Sequence, residues 1–144
     1  MSEDANKALV KRFYEEAWGR GNVDVAEELF ADDYERHDFR SGDPTPGPEG
    51  QKEIARAFRV AFPDLTFEID FLLADGDFVA GRWTATGTHL APWAGIEPTG
   101  KPMRFSAINV FRFSDGKVVE LWNHRDDLGL MQQLGAPVHA GAPE

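Results

Sequence analysis

A chain of 144 residues with 42% hydrophobic content is sized for one domain with its own core, and a formal net charge of −10 disfavours a polyphosphate partner. The lack of cysteine excludes a disulfide framework and a thiolate nucleophile. The opening MSEDANKALVKRF is too charged for a secretory signal and no apolar run approaches a membrane span, so a cytoplasmic protein that binds neither nucleic acid nor membrane is expected.

Leu9, Val10, Phe13, Tyr14, Ala17 and Trp18 recur at helical spacing, and Gly19 with Gly21 ends that helix. Asn22 is placed to cap a second helix, whose buried stripe is Val25, Ala26, Leu29 and Phe30. Tyr34 to Phe39 reads as a short strand. The loop SGDPTPGPEG follows, with Pro48 suited to the first turn of a third helix on which Ile54, Ala55, Phe58, Ala61 and Phe62 face inward. From Leu65 the period changes to two: LTFEIDFLL, an Asp75-Gly76 turn, FVAGRWTATGTHL, a loop with Trp93 and Pro98, MRFSAINVFRF, an Asp115-Gly116 turn and VVELWNH. A last helix is capped by Asp126 or Asp127 and closed by Gly135, and residues 136–144 read as a flexible tail. The order predicts one α+β domain over residues 1–144, with helices on one side of a curled antiparallel sheet that encloses a conical pocket.

Alternation along the last two strands puts Phe105, Ala107, Asn109 and Phe111 on one face, and Val119, Leu121, Asn123 and Arg125 on the matching face. Two amides and a guanidinium thus join an apolar surface. Buried without partners, each costs on the order of 1–3 kcal/mol, and more for the charge, so they satisfy one another or line a cavity. Arg125 either holds a ligand carboxylate or carbonyl, or pairs with Glu120, Asp126 or Asp127. Trp122 and Ile108 carry the opposite parity, pointing to a sheet-to-sheet homodimer.

Four pieces, LVKRFYEEAWGRGNVDVAEELFADDYERHD, GPEGQKEIARAFRVAFPDLTFEI, GTHLAPWAGIEPTGKPMRF and FRFSDGKVVELWNHRDDLGLMQQLGA, occur in an order and spacing that resembles the SnoaL-like polyketide cyclases of the NTF2-like superfamily. The resemblance covers almost the whole chain. It implies an NTF2-like cone and a cofactor-free aldol-type ring closure, or a related isomerisation, of a polyketide-like carbonyl compound. It also implies an acid/base aspartate on the last strand. An ungapped match between SDGK and QQLG puts Asn123 at that position, where an amide can donate a hydrogen bond but cannot shuttle protons. A gapped match on HRD would put Asp126 there. The family's polar residue on the neighbouring strand corresponds to Asn109, and its HD pair at the pocket mouth to His37 and Asp38. Asn123, His37, Asp38 and Asp126 are therefore the catalytic candidates.

Asn109, Arg125, Tyr14, Trp83, Phe105, Ala107 and Leu121 are the candidates for contact with a small hydrophobic or aromatic carbonyl ligand. Four tryptophans and eleven phenylalanines suit stacking against a flat polycyclic compound. Asn109 and Asn123 either clamp one substrate oxygen or bond to each other across the strands. His37 is either a base near neutral pH or a hydrogen-bonding wall, His124 faces away from Asn123, and His89 packs at the start of the Trp93 loop. No dinucleotide fingerprint, P-loop, GxSxG elbow or metal-ligand spacing is present, so neither cofactor nor metal is expected. The alternatives to a cyclase are a non-catalytic hydrophobic-ligand binder and an epoxide hydrolase- or dehydratase-like enzyme using Asp38 with Asp126.

Overall fold

The computed structural model describes residues 2–37 and 45–135. Helix α1 spans Glu3–Phe13, and the Ser2 hydroxyl caps it by accepting from the Ala5 amide at 3.0 Å. The helix then widens into a π-helical turn over Tyr14–Gly19 instead of continuing as α-helix to Trp18. The Asn22 amide bonds the Glu16 carbonyl at 2.8 Å, and Arg59 Nη1 donates to the carbonyls of Trp18 and Gly19 at 2.9 and 3.3 Å, so the wide turn has its carbonyls satisfied. Asn22 does not cap forward as expected: its side chain reaches back to Glu16 Oε1 at 2.8 Å.

A 3₁₀ turn at Val23–Val25 leads into α2, a single turn over Ala26–Leu29. Strand β1 then runs over Phe30–His37, so Phe30 is extended, not helical, and the strand starts four residues before Tyr34. The Phe30 ring is still buried, edge-on to Phe13 with centroids 5.2 Å apart. Burial alone thus does not separate a helical end from a strand start. Phe39 and the tail after Gly135 lie outside the described residues.

Helix α3 covers Gly47–Ala61, and strands β2 (Thr66–Asp75), β3 (Phe78–Thr88), β4 (Pro102–Ser114) and β5 (Lys117–Arg125) follow, closed by α4 over Asp127–Gln133. The sheet order is β1-β5-β4-β3-β2, antiparallel except where β1 runs parallel to β5. The result is an α+β fold with a curled, open sheet. Asp115, at φ 52, and Gly116, at φ 78, make the tight β4–β5 turn.

One parity expectation changes. Arg112 pairs with Glu120 but Phe113 pairs with Val118, so a bulge leaves Val119 unopposed and turns Val118 into the core instead. Beyond the bulge the expected alternation holds through Leu121, Asn123 and Arg125. On the inner face Trp18, Phe58, Phe67, Trp83 and Phe105 pack ring to ring at 4.8–5.8 Å. Among the described residues no helix is long and apolar enough to cross a membrane.

Candidate functional site

Asn109 and Asn123 stand directly opposite each other on β4 and β5, and Asn109 Nδ2 donates to Asn123 Oδ1 at 2.7 Å. On the other side of Asn109 two donors converge on its Oδ1: the Tyr14 hydroxyl at 2.7 Å and the Trp83 indole N–H at 2.9 Å. Tyr14 arrives from the π-helical turn, and burial pushes its phenol well above the ordinary tyrosine pKa, so it is a protonated donor. Its approach depends on Gly81, the residue paired with Asn109 on β3: a Cβ there would lie 2.7 Å from the Tyr14 ring and hydroxyl.

The expected choice between mutual satisfaction and a shared ligand clamp resolves in a specific way. The two amides do bond to each other, yet this uses only the oxygen of Asn123. Among the described residues the Nδ2 of Asn123 makes no hydrogen bond, and Asn123 lines a small interior cavity.

That cavity measures about 20 Å³, room for roughly one water. Phe13, Trp18, Trp83 and Phe111 supply much of its apolar wall, with Ile54 and Leu121, and Gln51, Asn109, Asn123 and Arg125 supply the polar groups. Neither a carboxylate nor an imidazole is among these lining residues. Arg125, 7% exposed, sits over the Phe58 ring at 5.1 Å and reaches Asp127 at 3.4 Å, so the expected ion pair is present. Gln51 was not expected here. It donates to the Tyr34 hydroxyl at 2.9 Å, and it lies three residues before Ile54 on the inward stripe of α3, a signal its polarity masked.

Other candidates are placed elsewhere. Phe105 and Ala107 are core residues that do not line the cavity, with Phe105 stacked on Phe58 at 5.3 Å, and Tyr14, also not a lining residue, bonds Asn109, which is one. His37 is not among the residues that line this cavity. Parallel pairing of β1 with β5 sets it beside Trp122 on the outer face, where it stacks on that indole at 5.0 Å and bonds Glu120 at 2.9 Å. Asp38 lies outside the described residues. Asp126 accepts from the Gly129 amide at 2.9 Å as the cap of α4 and is not among the residues lining this cavity, while its expected pairing with Asp38 involves a residue outside the described ones. His124 is exposed on the outer face opposite Ile108, and buried His89 accepts from the Thr99 amide at 3.2 Å to hold its loop.

Glu35, His37 and Glu120 bring their ligating atoms within 4.8 Å of one another. Arg112 already engages Glu120, and with His37 it holds that carboxyl below its usual pKa, the arginine contributing most. The group reads as an ion-pair cluster.

The sequence profile of the SnoaL-like polyketide cyclases matches residues 8–134. Among solved structures, TsrD from Streptomyces laurentii superposes with a TM-score of 0.85 at 26% identity, covering 95% of this chain and 99% of that one. AclR from Streptomyces galilaeus, described as a candidate hydroxylase, gives 0.80 at 29% identity over 93% and 98%. A candidate polyketide cyclase from Bacillus cereus gives 0.79 at 32% identity over 96% and 87%. No protein of curated function matches the chain.

Proposed function

Since the chain belongs to the SnoaL-like polyketide cyclase family, we propose that it catalyses ring closure or a related isomerisation of a polyketide-like carbonyl compound without a cofactor, using the hydrogen-bond donors that line the cavity, where the described lining residues include no carboxylate. The observation that carries this reading is that Asn123 lines the cavity with its oxygen already engaged by Asn109, its Nδ2 making no hydrogen bond among the described residues, and that Arg125 lines the same space. In the reaction a C–H flanked by two carbonyls gives its proton to water, and Asn123 and Arg125 hold the resulting enolate oxygen. The enolate carbon then bonds to a second carbonyl carbon within the same molecule, and the alkoxide so formed takes a proton from water. A single preorganised donor of this kind is worth about 10²–10³ in rate.

The 20 Å³ cavity is far below the roughly 300–1,000 Å³ of ordinary ligand sites, so aromatic side chains move when substrate enters. The same small volume, with no acid or base among the described lining residues, favours a second reading in which a hydrophobic carbonyl compound binds without turnover. The test is turnover of an anthraquinone-type β-keto ester by wild type, Asn123→Leu and Asn123→Asp. Cyclisation by wild type, reduced about 10²–10³-fold in Asn123→Leu, supports the donor mechanism. Binding without product by wild type establishes the second reading, and activity confined to Asn123→Asp marks a cyclase scaffold without its acid/base.

We further propose a homodimer joined through the outer sheet face. Phe78, Ile108 and Phe71 are 43%, 45% and 45% exposed there, a large apolar share for a free surface.

A further inference from the structure

We propose that Trp83 is a positioning residue: its indole N–H sets the direction of the Asn109–Asn123 amide pair, and thereby commits the cavity to ligands that present an acceptor oxygen, a ketone, ester or enolate, over ligands that present a donor. The ligand class rests on the reading of this cavity as the substrate site. The amide direction stands on geometry alone.

Two facing amides can bond in either sense, with Asn109 donating to Asn123 or the reverse, since each carries an oxygen and an NH₂ that exchange by a half-turn. Tyr14 is indifferent to the choice, because a hydroxyl donates or accepts. The indole N–H only donates. At 2.9 Å from the Asn109 head group it requires oxygen on that side, and the NH₂ of Asn109 must then face Asn123. Asn123 in turn must offer its oxygen to Asn109, which leaves its own NH₂ for the cavity.

Reversed, the pair would set the Asn109 NH₂ against the indole N–H and present the Asn123 oxygen to the cavity instead. The Trp83 hydrogen bond therefore decides, two side chains away, which end of Asn123 a ligand meets. Since Trp83 is 2% exposed and Tyr14 is 1% exposed, bulk solvent does not substitute for either contact.

The test uses the full chain labelled with ¹⁵N and ¹³C, and reads scalar coupling across the hydrogen bond together with side-chain amide shifts on adding acetophenone, which only accepts, or benzylammonium, which only donates. In wild type the coupling runs from Asn109 Nδ2 to Asn123 Cγ, and acetophenone shifts the Asn123 Nδ2 resonances while benzylammonium does not. Trp83→Phe removes the directing donor, so reverse coupling, from Asn123 Nδ2 to Asn109 Cγ, becomes populated and acetophenone affinity falls about tenfold, the equivalent of one hydrogen bond.

Tyr14→Phe also deletes a buried hydrogen bond to Asn109 but leaves the indole in place, so its coupling direction stays as in wild type; this contrast separates direction-setting from support of the fold, and it remains readable if Trp83→Phe does not fold. Reverse coupling in wild type, or a reversal in Tyr14→Phe, overturns the role of Trp83. Correct coupling with no acetophenone response overturns the ligand class and the substrate-site reading while leaving the amide direction intact.

Discussion

Replacing Asn109 with leucine keeps a side chain of similar size on β4 but deletes the oxygen shared by Tyr14 and Trp83. Both donors are at most 2% exposed, so neither recovers a bond to bulk solvent. An unsatisfied buried donor costs about 1–3 kcal/mol, which makes the expected loss about 2–6 kcal/mol for the two. Domains of ordinary stability have only about 5–15 kcal/mol in total. At a typical urea dependence near 2 kcal/mol per molar, the unfolding midpoint should fall by about 1–3 M with an unchanged slope. The decisive comparison is with Tyr14→Phe. Alone, that substitution removes one good hydrogen bond and destabilises by about 0.5–1.5 kcal/mol. In the Asn109→Leu background it removes an orphaned hydroxyl and should stabilise. Urea titrations of the four proteins give the sign directly, and an equal loss from Tyr14→Phe in both backgrounds would refute the shared-acceptor account.

Gly81→Ala should destabilise by about 1–3 kcal/mol in thermal unfolding, because its methyl meets the Tyr14 ring and hydroxyl at 2.7 Å; an unshifted midpoint would show that Tyr14 yields without strain. Asp126→Ala should lose about 0.5–2 kcal/mol as a helix cap while leaving any turnover per folded molecule unchanged, whereas an abolished rate with intact fold would restore the gapped catalytic assignment. The Glu120 carboxyl is held below its ordinary value of 4.5 by Arg112 and His37, so its stabilising effect is fully present above that pH and disappears as pH falls through the lower folded value. Glu120→Gln should flatten that acid limb, measured as urea midpoints between about pH 3 and 6. If the outer face joins two copies, Ile108→Lys should convert a dimer to a monomer by light scattering, and a monomeric wild type would remove the proposal.

The parts of the site made by neighbouring strands were legible in the residues. Period-two alternation and the Asp115-Gly116 turn put Asn109 opposite Asn123, and the capping rule narrowed the start of the last helix to Asp126 or Asp127, of which the structure uses Asp126. What failed depended on partners far along the chain. The face of His37 follows from parallel pairing with β5, which no local pattern near His37 encodes. A single bulge reversed the parity of Val119, and an apolar residue fits both the end of a helix and the start of a strand, which is why Phe30 was misplaced. The convergence of Tyr14 and Trp83 on one oxygen needs three separate elements and carries no short-range signature.

The three hydrogen bonds at Asn109 also differ in how much chain each one closes. The partner Asn123 is 14 residues away, Trp83 is 26, and Tyr14 is 95. Closure entropy rises with loop length, so the amide pair of the β4–β5 hairpin closes at the lowest entropic cost of the three and the Tyr14 bond at the highest. The indole bond closes a loop of intermediate length and is the contact that selects one sense of the pair. The Tyr14 hydroxyl, at the far end of the longest loop, fits either sense and so ties the N-terminal helix to the sheet without adding direction.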